Sequence, residues 1–266
     1  MGHGMLVDHI QGTIVRAADF VFSPFDWGRV AEPVGPAMGA QRVTLLVVEV
    51  APGKAWRLGW ALEEENVAVV FAGSGHGDVT GHRTEIARGS ALHSPTGRTL
   101  ELEAGDDGLT AYVWRTRLAG NEPTGSAPRL ENELWNTETQ LHGFSGTGEI
   151  AADEKTAVMN FLFWPGTGSA RLCLHCGIQD PGQTFNVHQH PESEEAFIAF
   201  EGDGQMYLID RWHDVSPGDV LFAAPGVPHG TRNPESAEGR FATCGGPTPF
   251  DPVLYARAGV SAEVKQ

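Results

Sequence analysis

Apolar residues in this chain come in short runs closed by glycine, proline or small polar residues. Runs of this length, rich in β-branched and aromatic side chains and bounded by turn formers, read as strands. In the first half RVTLLVVEV (42–50), VAVVFAG (67–73), TLELEAG (99–105) and TAYVWRTRL (110–118) predict strands. In the second half ARLCLHCGI (170–178), TFNVHQH (184–190), EAFIAFEG (195–202), GQMYLID (204–210), DVLFAAP (219–225) and RFATCGG (240–246) do the same. Residues 119–157 between the two sets are polar and turn-rich. They read as a connector, with a short helix or an edge strand near LENELWN (130–136). GSGHGDVTG (73–81) has phosphate-loop composition but no helical pattern after it, so it reads as a hairpin. The pattern predicts an all-β chain of two units that pack on each other and cover their sheet edges.

The two units are copies. A shift of 129 residues lays Gly182 on Gly53, Pro181 on Pro52, Phe200 on Phe71 and Gly202 on Gly73. It also lays Gly204 on Gly75, Gly218 on Gly89 and Gly226 on Gly97, with no gap. Most of these are turn glycines, which fix where strands reverse. Self-similarity of this kind marks a duplicated β-unit.

The second copy carries chemistry that the first lacks. His188 and His190 are two apart on an expected strand, so their side chains share a face. After four intervening residues Glu195 opens the next strand, and His229 follows in GDVLFAAPGVPHGTRN (218–233). Three imidazoles and a carboxylate converging on one point make a first-row transition-metal site. In the first copy the same positions hold Gly59, Ala61, Asn66 and Leu100, none a plausible ligand there. By strand parity Thr184 and Asn186 share the histidines' face, while Phe197 and Ala199 share that of Glu195. These four, with Tyr207, are the expected pocket residues. His175 is a candidate for the layer behind the ligands, and Asn233 is expected to brace its turn. His82, His93 and His213 read as surface or loop histidines.

These spacings resemble the cupin family. Its first motif is filled by Gly182, His188, His190, Glu195 and Gly202, and its second by Gly218, Gly226, His229 and Asn233, with Ala224 where a turn proline is usual. The resemblance spans residues 40–118 and 158–247. It implies two tandem cupin barrels (double-stranded β-helix, jelly roll), a first barrel without ligands and a metal-bearing second. The expected divide gives residues 1–140 to the first barrel and connector and 141–266 to the second. One divalent transition ion per chain is implied, with Fe, Mn, Ni, Zn and Cu all compatible with the donors. The three-His-one-Glu set resembles quercetinase-type and germin-like cupins, which points to a dioxygenase or other oxidoreductase with Glu195 as the catalytic carboxylate. The silent-first, active-second layout resembles ureidoglycine aminohydrolase, which keeps a hydrolase, lyase or isomerase open. A non-catalytic metal- or ligand-binding role is the third reading.

Composition narrows the partners. The formal net charge of −16 over 266 residues argues against nucleic acid and anionic membrane surfaces. No apolar run is long enough to span a bilayer and no secretory apolar segment opens the chain, so a cytoplasmic location is expected. Three cysteines suit a reducing compartment. Cys173 and Cys176 are three apart on an expected strand and so face opposite sides, which argues against a joint role. A small-molecule substrate is the expected partner, with homodimerisation left open. MGHGM at the start reads equally as native or as an added tag.

Overall fold

The computed structural model describes residues 11–58, 63–117, 129–138, 140–142, 157–256 and 259–263. The opening MGHGM, Gly59 and Ala61 lie outside the described residues. The first half contains β1 (Gly12–Val15), β2 (Ser23–Phe25), β3 (Gly28–Val34), β4 (Thr44–Val50), β5 (Ala55–Leu58), β6 (Glu64–Val79), β7 (His82–Ala87), β8 (Ser90–Ser94) and β9 (Leu100–Arg117). The linking region contributes β10 (Glu131–Glu133) and β11 (Gln140–His142). The second half contains β12 (Val158–Phe163), β13 (Leu174–Gln179), β14 (Thr184–His188), β15 (Glu194–Glu201), β16 (Gly204–Leu208) and β17 (Arg211–Val215). It continues through β18 (Val220–Ala223), β19 (His229–Arg232), β20 (Phe241–Thr248) and a short helix, α1 (Pro252–Ala256). The protein is all-β, in two tandem barrels of jelly-roll type.

The duplication is visible strand by strand. One sheet runs β10-β8-β6-β9-β4-β3-β2 and another β1-β18-β15-β20-β13-β12-β11. The two orders are the same when β8 is laid on β18, β6 on β15 and β4 on β13. In the first copy β6 and β9 are long and bend across both faces of their barrel, so TLELEAG and TAYVWRTRL join into one strand. In the second copy the corresponding strands are split, and β14, β19, β16 and β17 form a separate sheet. LENELWN supplies the edge strand β10, and residues 73–81 form the β6–β7 hairpin around Thr80 and Gly81.

The outermost strand of each barrel comes from the other copy's side of the chain. β1 pairs with β18, Gly12 opposite Ala223, and β10 pairs with β8, Glu131 opposite Leu92. Residues 12–15 therefore sit on the second barrel, while the expected divide at residue 140 falls at the start of β11. Each exchanged strand covers what would be an open edge.

A continuous apolar core joins the barrels. It includes Val34, Leu45, Val67 and Trp114 from the first and Phe163, Leu174, Phe200 and Phe222 from the second, all nearly or wholly buried. Two buried carboxylates lock the same boundary. Glu65 accepts N–H bonds from Ala170, Arg171 and Leu172 at 2.7, 2.8 and 3.0 Å. Glu194, 129 positions on, accepts those of Gln41, Arg42 and Val43 at 2.7, 2.8 and 3.0 Å. Each N–H triplet follows a 3-10 turn, Pro36–Met38 or Pro165–Thr167, ended by Gly39 (φ 87°) or Gly168 (φ 97°). That positive φ suits glycine and turns the chain back toward the partner carboxylate. Glu65 has one more partner, His93 on β8, at 2.8 Å. His93 is fully buried, not a surface histidine, because this pairing satisfies it inside the boundary. His82 is exposed and His213 half-buried.

Candidate metal centre

Two of the four counterpart positions in the first barrel lie among the described residues. Leu100, at the position of His229, is fully buried among Leu102, Trp56, Ile86 and Val79. Asn66, at the position of Glu195, is buried beside them.

In the second barrel three strands and one turn bring four donors together. His188 ends β14 and lies directly opposite His229, which opens β19. Glu195 stands on β15 between Ala223 of β18 and Pro247 of β20. His190 sits in the turn before β15, its carbonyl held by the N–H of Gly226 at 2.7 Å. One ligand atom from each residue lies within 4.8 Å of the others. Among the described residues this is the one such group of His, Cys, Asp and Glu.

The outer nitrogen of every imidazole is fixed. Nδ1 of His188 bonds the carbonyl of Asn186 at 2.8 Å, and Nδ1 of His229 that of Val227 at 2.8 Å. Nδ1 of His190 bonds Oδ2 of Asp251 at 2.9 Å. A carbonyl only accepts, so Nδ1 must donate and Nε2 is turned inward. Oε2 of Glu195 lies 2.7 Å from Nε2 of His229 and 2.9 Å from Nε2 of His190. Three inward-facing imidazole nitrogens gathered around one buried carboxylate fit a divalent transition ion.

The charges are tightly coupled. Burial opposes ionisation of Glu195, but His229 and the contacts from both histidines outweigh it and hold the carboxyl well below its usual range. Burial also works against a charged His190, yet Asp251 and Glu195 raise it to about 9. His188 is pulled down to about 3, first by burial and then by His229. The ion-free site thus already holds the carboxylate that an ion requires.

Behind the ligands lies a second polar pair. His175 on β13 places Nε2 3.9 Å from Oε1 of Glu195 and 3.2 Å from the hydroxyl of Tyr255 on α1. Burial lowers the His175 imidazole to about 4. Both residues line a cavity over the ligands that offers about 30 Å³, room for roughly two waters. Met159, Phe185 and Phe197 form its apolar wall, and Thr231 and Thr243 add hydroxyls. No lysine or arginine is among its described lining residues.

Of the five expected pocket residues, Phe197 lines this cavity and Thr184, Asn186, Ala199 and Tyr207 do not. Parity fails on β14 because the register shifts between Phe185 and His188. The bulge turns Phe185 inward and leaves Asn186 exposed, where its carbonyl serves His188. Thr184 pairs with Arg232 and is half-buried. Ala199 is buried deeper, against Met206 and Phe241. Tyr207 packs on Trp212 with ring centroids 5.3 Å apart. Asn233 braces its turn as expected, donating to the carbonyls of Gln179 and Gly239. Sequence reasoning passed over Asp251, Tyr255, Phe185, Met159, Thr231 and Thr243. Thr231 was within reach, being two residues beyond His229 on the same strand. Asp251-Pro252 is a helix-start signal that locates α1.

Residues 178–244 match the family model for the cupin domain, a span that includes all four donors. No curated protein matches the chain in sequence. Solved structures of oxalate decarboxylase from Bacillus subtilis share the fold. One, concerned with the Mn(II) centres of that enzyme, aligns at TM-score 0.66 and 13% identity over 91% of this chain and 78% of the other. A variant of the same enzyme with a tryptophan replaced by tyrosine gives 0.65 and 13% over the same shares. A deletion variant gives 0.65 and 12%, over 97% and 86%. No described helix is long and apolar enough to cross a membrane.

Proposed function

We propose that this chain, a two-barrel protein with a cupin domain in its second half, is a metal-dependent enzyme acting on a small oxygen-bearing molecule. The observation that carries the reading is the inward convergence of His188, His190, Glu195 and His229, three of them with their outer nitrogens already engaged. When bound, a divalent ion supplies Lewis acidity or an electron relay and open positions for oxygen ligands.

The chain's own residues set what can enter. Three neutral imidazoles and one carboxylate leave a divalent centre with a single net positive charge. With no cationic side chain among the described lining residues, one substrate anion balances that charge and two would not. The favoured substrate is a neutral or monoanionic oxygen chelator, its apolar part against Phe185, Phe197 and Met159. Glu195 is the catalytic carboxylate, anchoring charge at the centre and close to His175 for proton exchange. Thr231, Thr243 and Tyr255 can bond substrate oxygens in the cavity.

A dioxygenase is the first reaction class, since the apolar wall suits dioxygen and the donor set leaves coordination positions open. The likeness to oxalate decarboxylase brings a second, a lyase with manganese as candidate ion. The charge balance weighs against oxalate itself as the substrate. Elemental analysis, followed by oxygen-electrode assays of Fe- and Mn-loaded protein, separates the two. The panel is 2-hydroxy and 2-oxo monocarboxylates, 1,3-diketones and oxalate. Oxygen uptake with a monoanionic chelator supports the first class. Carbon dioxide release from oxalate without oxygen uptake would replace it with the second. Failure to retain any ion would remove the enzyme reading altogether.

A further inference from the structure

We propose that Asp251 is a positioning residue for the metal centre, and that its single carboxylate couples ion binding to the docking of helix α1 over the cavity. The inference rests on the reading of His188, His190, Glu195 and His229 as metal ligands.

The two oxygens of Asp251 have different work. Oδ2 accepts from Nδ1 of His190 at 2.9 Å. Oδ1 accepts the N–H groups of Val253 and Leu254 at 3.1 and 3.0 Å, capping α1. The helix has five residues, far too few to hold its shape without tertiary support. Its support is the site. Tyr255, 1% exposed, stacks on Phe250 with centroids 5.3 Å apart and meets the edge of Phe161 at 5.2 Å. Its ring also lies 6.3 Å from that of His190, and its hydroxyl reaches His175. The outward face carries Val253, 71% exposed. Through Tyr255 the helix thus forms one side of the cavity, and Asp251 fastens it to a ligand.

The coupling works through the tautomer of His190. While Oδ2 accepts from Nδ1, the inward Nε2 can offer a lone pair to an ion. The acceptor also orients the ring, as outer-shell carboxylates do for ligating imidazoles. An ion that fixes His190 therefore fixes Asp251, and with it the cap of α1. By linkage, anything that releases the helix weakens the ion to the same degree.

Asp251→Asn separates this from a packing role. The Asn oxygen can still cap the helix, but its NH₂ then faces Nδ1 of His190. That donor requires Nδ1 to accept, which moves the proton to Nε2 where the ion must bind. Asp251→Glu restores an acceptor of the right charge. The full-length protein is stripped with a chelator and titrated with Mn(II) and Zn(II), and hydrogen exchange is followed in the peptide 249–260. The expected results are about 10- to 100-fold weaker binding in Asp251→Asn, with partial recovery in Asp251→Glu. The ion-free Asp251→Asn protein should still melt in one cooperative transition, at a lower temperature because the buried His190–Asp251 pair is lost. Metal should protect 249–260 in the wild type and not in Asp251→Asn. Equal affinity in the two proteins would overturn the positioning role while leaving the metal reading intact. So would equal metal-induced protection, or a loss of affinity only in step with unfolding. A wild-type protein that binds neither ion would overturn both.

Discussion

Glu65 and Glu194 show how much a single carboxylate can hold at a buried boundary. Each gathers three backbone N–H groups from the opposite barrel. Burial alone would raise the Glu65 carboxyl, but the bonds from His93 and the Leu172 N–H prevail and lower it below 4.5. A lowered folded pKa stabilises the fold above the unfolded value, and that contribution is lost as pH falls through the folded value. Glu65→Gln should therefore cost about 2–4 kcal/mol at neutral pH. The gap to wild type should close as pH drops below about 4.5. Denaturant melts at several pH values check this, and a gap constant with pH would contradict it. At the site, Glu195→Gln keeps shape and one oxygen donor but removes the only ligand charge. Rate per bound metal should then fall about 10²-fold or more. His188→Ala should act chiefly by losing the ion. An unchanged rate per metal in Glu195→Gln would leave a simple anchor and favour a binding role over catalysis.

Strands carry both what the sequence disclosed and what it hid. The duplication was legible because turn glycines sit at one fixed offset, and Gly53, Gly182, Gly97 and Gly226 all take positive φ as such turns require. The donors were legible because a strand and the turn after it fix their spacing. Parity on β14 was not legible, since one bulge between Phe185 and His188 reverses which neighbour faces inward. Asp251 was hidden by its separation of 61 residues from His190, a contact no local pattern encodes. The cysteines illustrate the same limit. Cys173 falls just before β13 rather than on it, so parity does not govern the pair, though the two do lie in different clusters. Nothing local showed that Cys176 lies directly opposite Cys244 across β13 and β20. All three are fully or nearly fully buried. Burial pushes Cys176 up to about 12, so roughly one in 10⁵ such thiols is ionised at pH 7. Thiol reagents should leave the native protein unmodified and label all three residues only on unfolding. Rapid labelling of a folded sample would show that the strands open locally.

For the whole molecule the decisive fact is that, if the chain is divided between β9 and β10, neither part owns all of its own sheet. β1 closes the sheet of the second barrel and β10 that of the first, across a core built from both. Expressed alone, residues 1–128 or 129–266 should expose that core and aggregate. Mixed or co-expressed, they should recover one folded particle with one metal site. A second half that folds and binds metal by itself would show that the first is dispensable.

The exchanged strands also have a historical meaning. Cut the chain between β9 and β10 and the arrangement becomes two like units, each lending its leading strand to the other. The chain is in that sense a dimer made permanent by fusion. Once tied together, its halves no longer had to remain identical. One could give up its ligands and fill with leucine while the other kept the chemistry, a division of labour closed to a dimer encoded by a single unit.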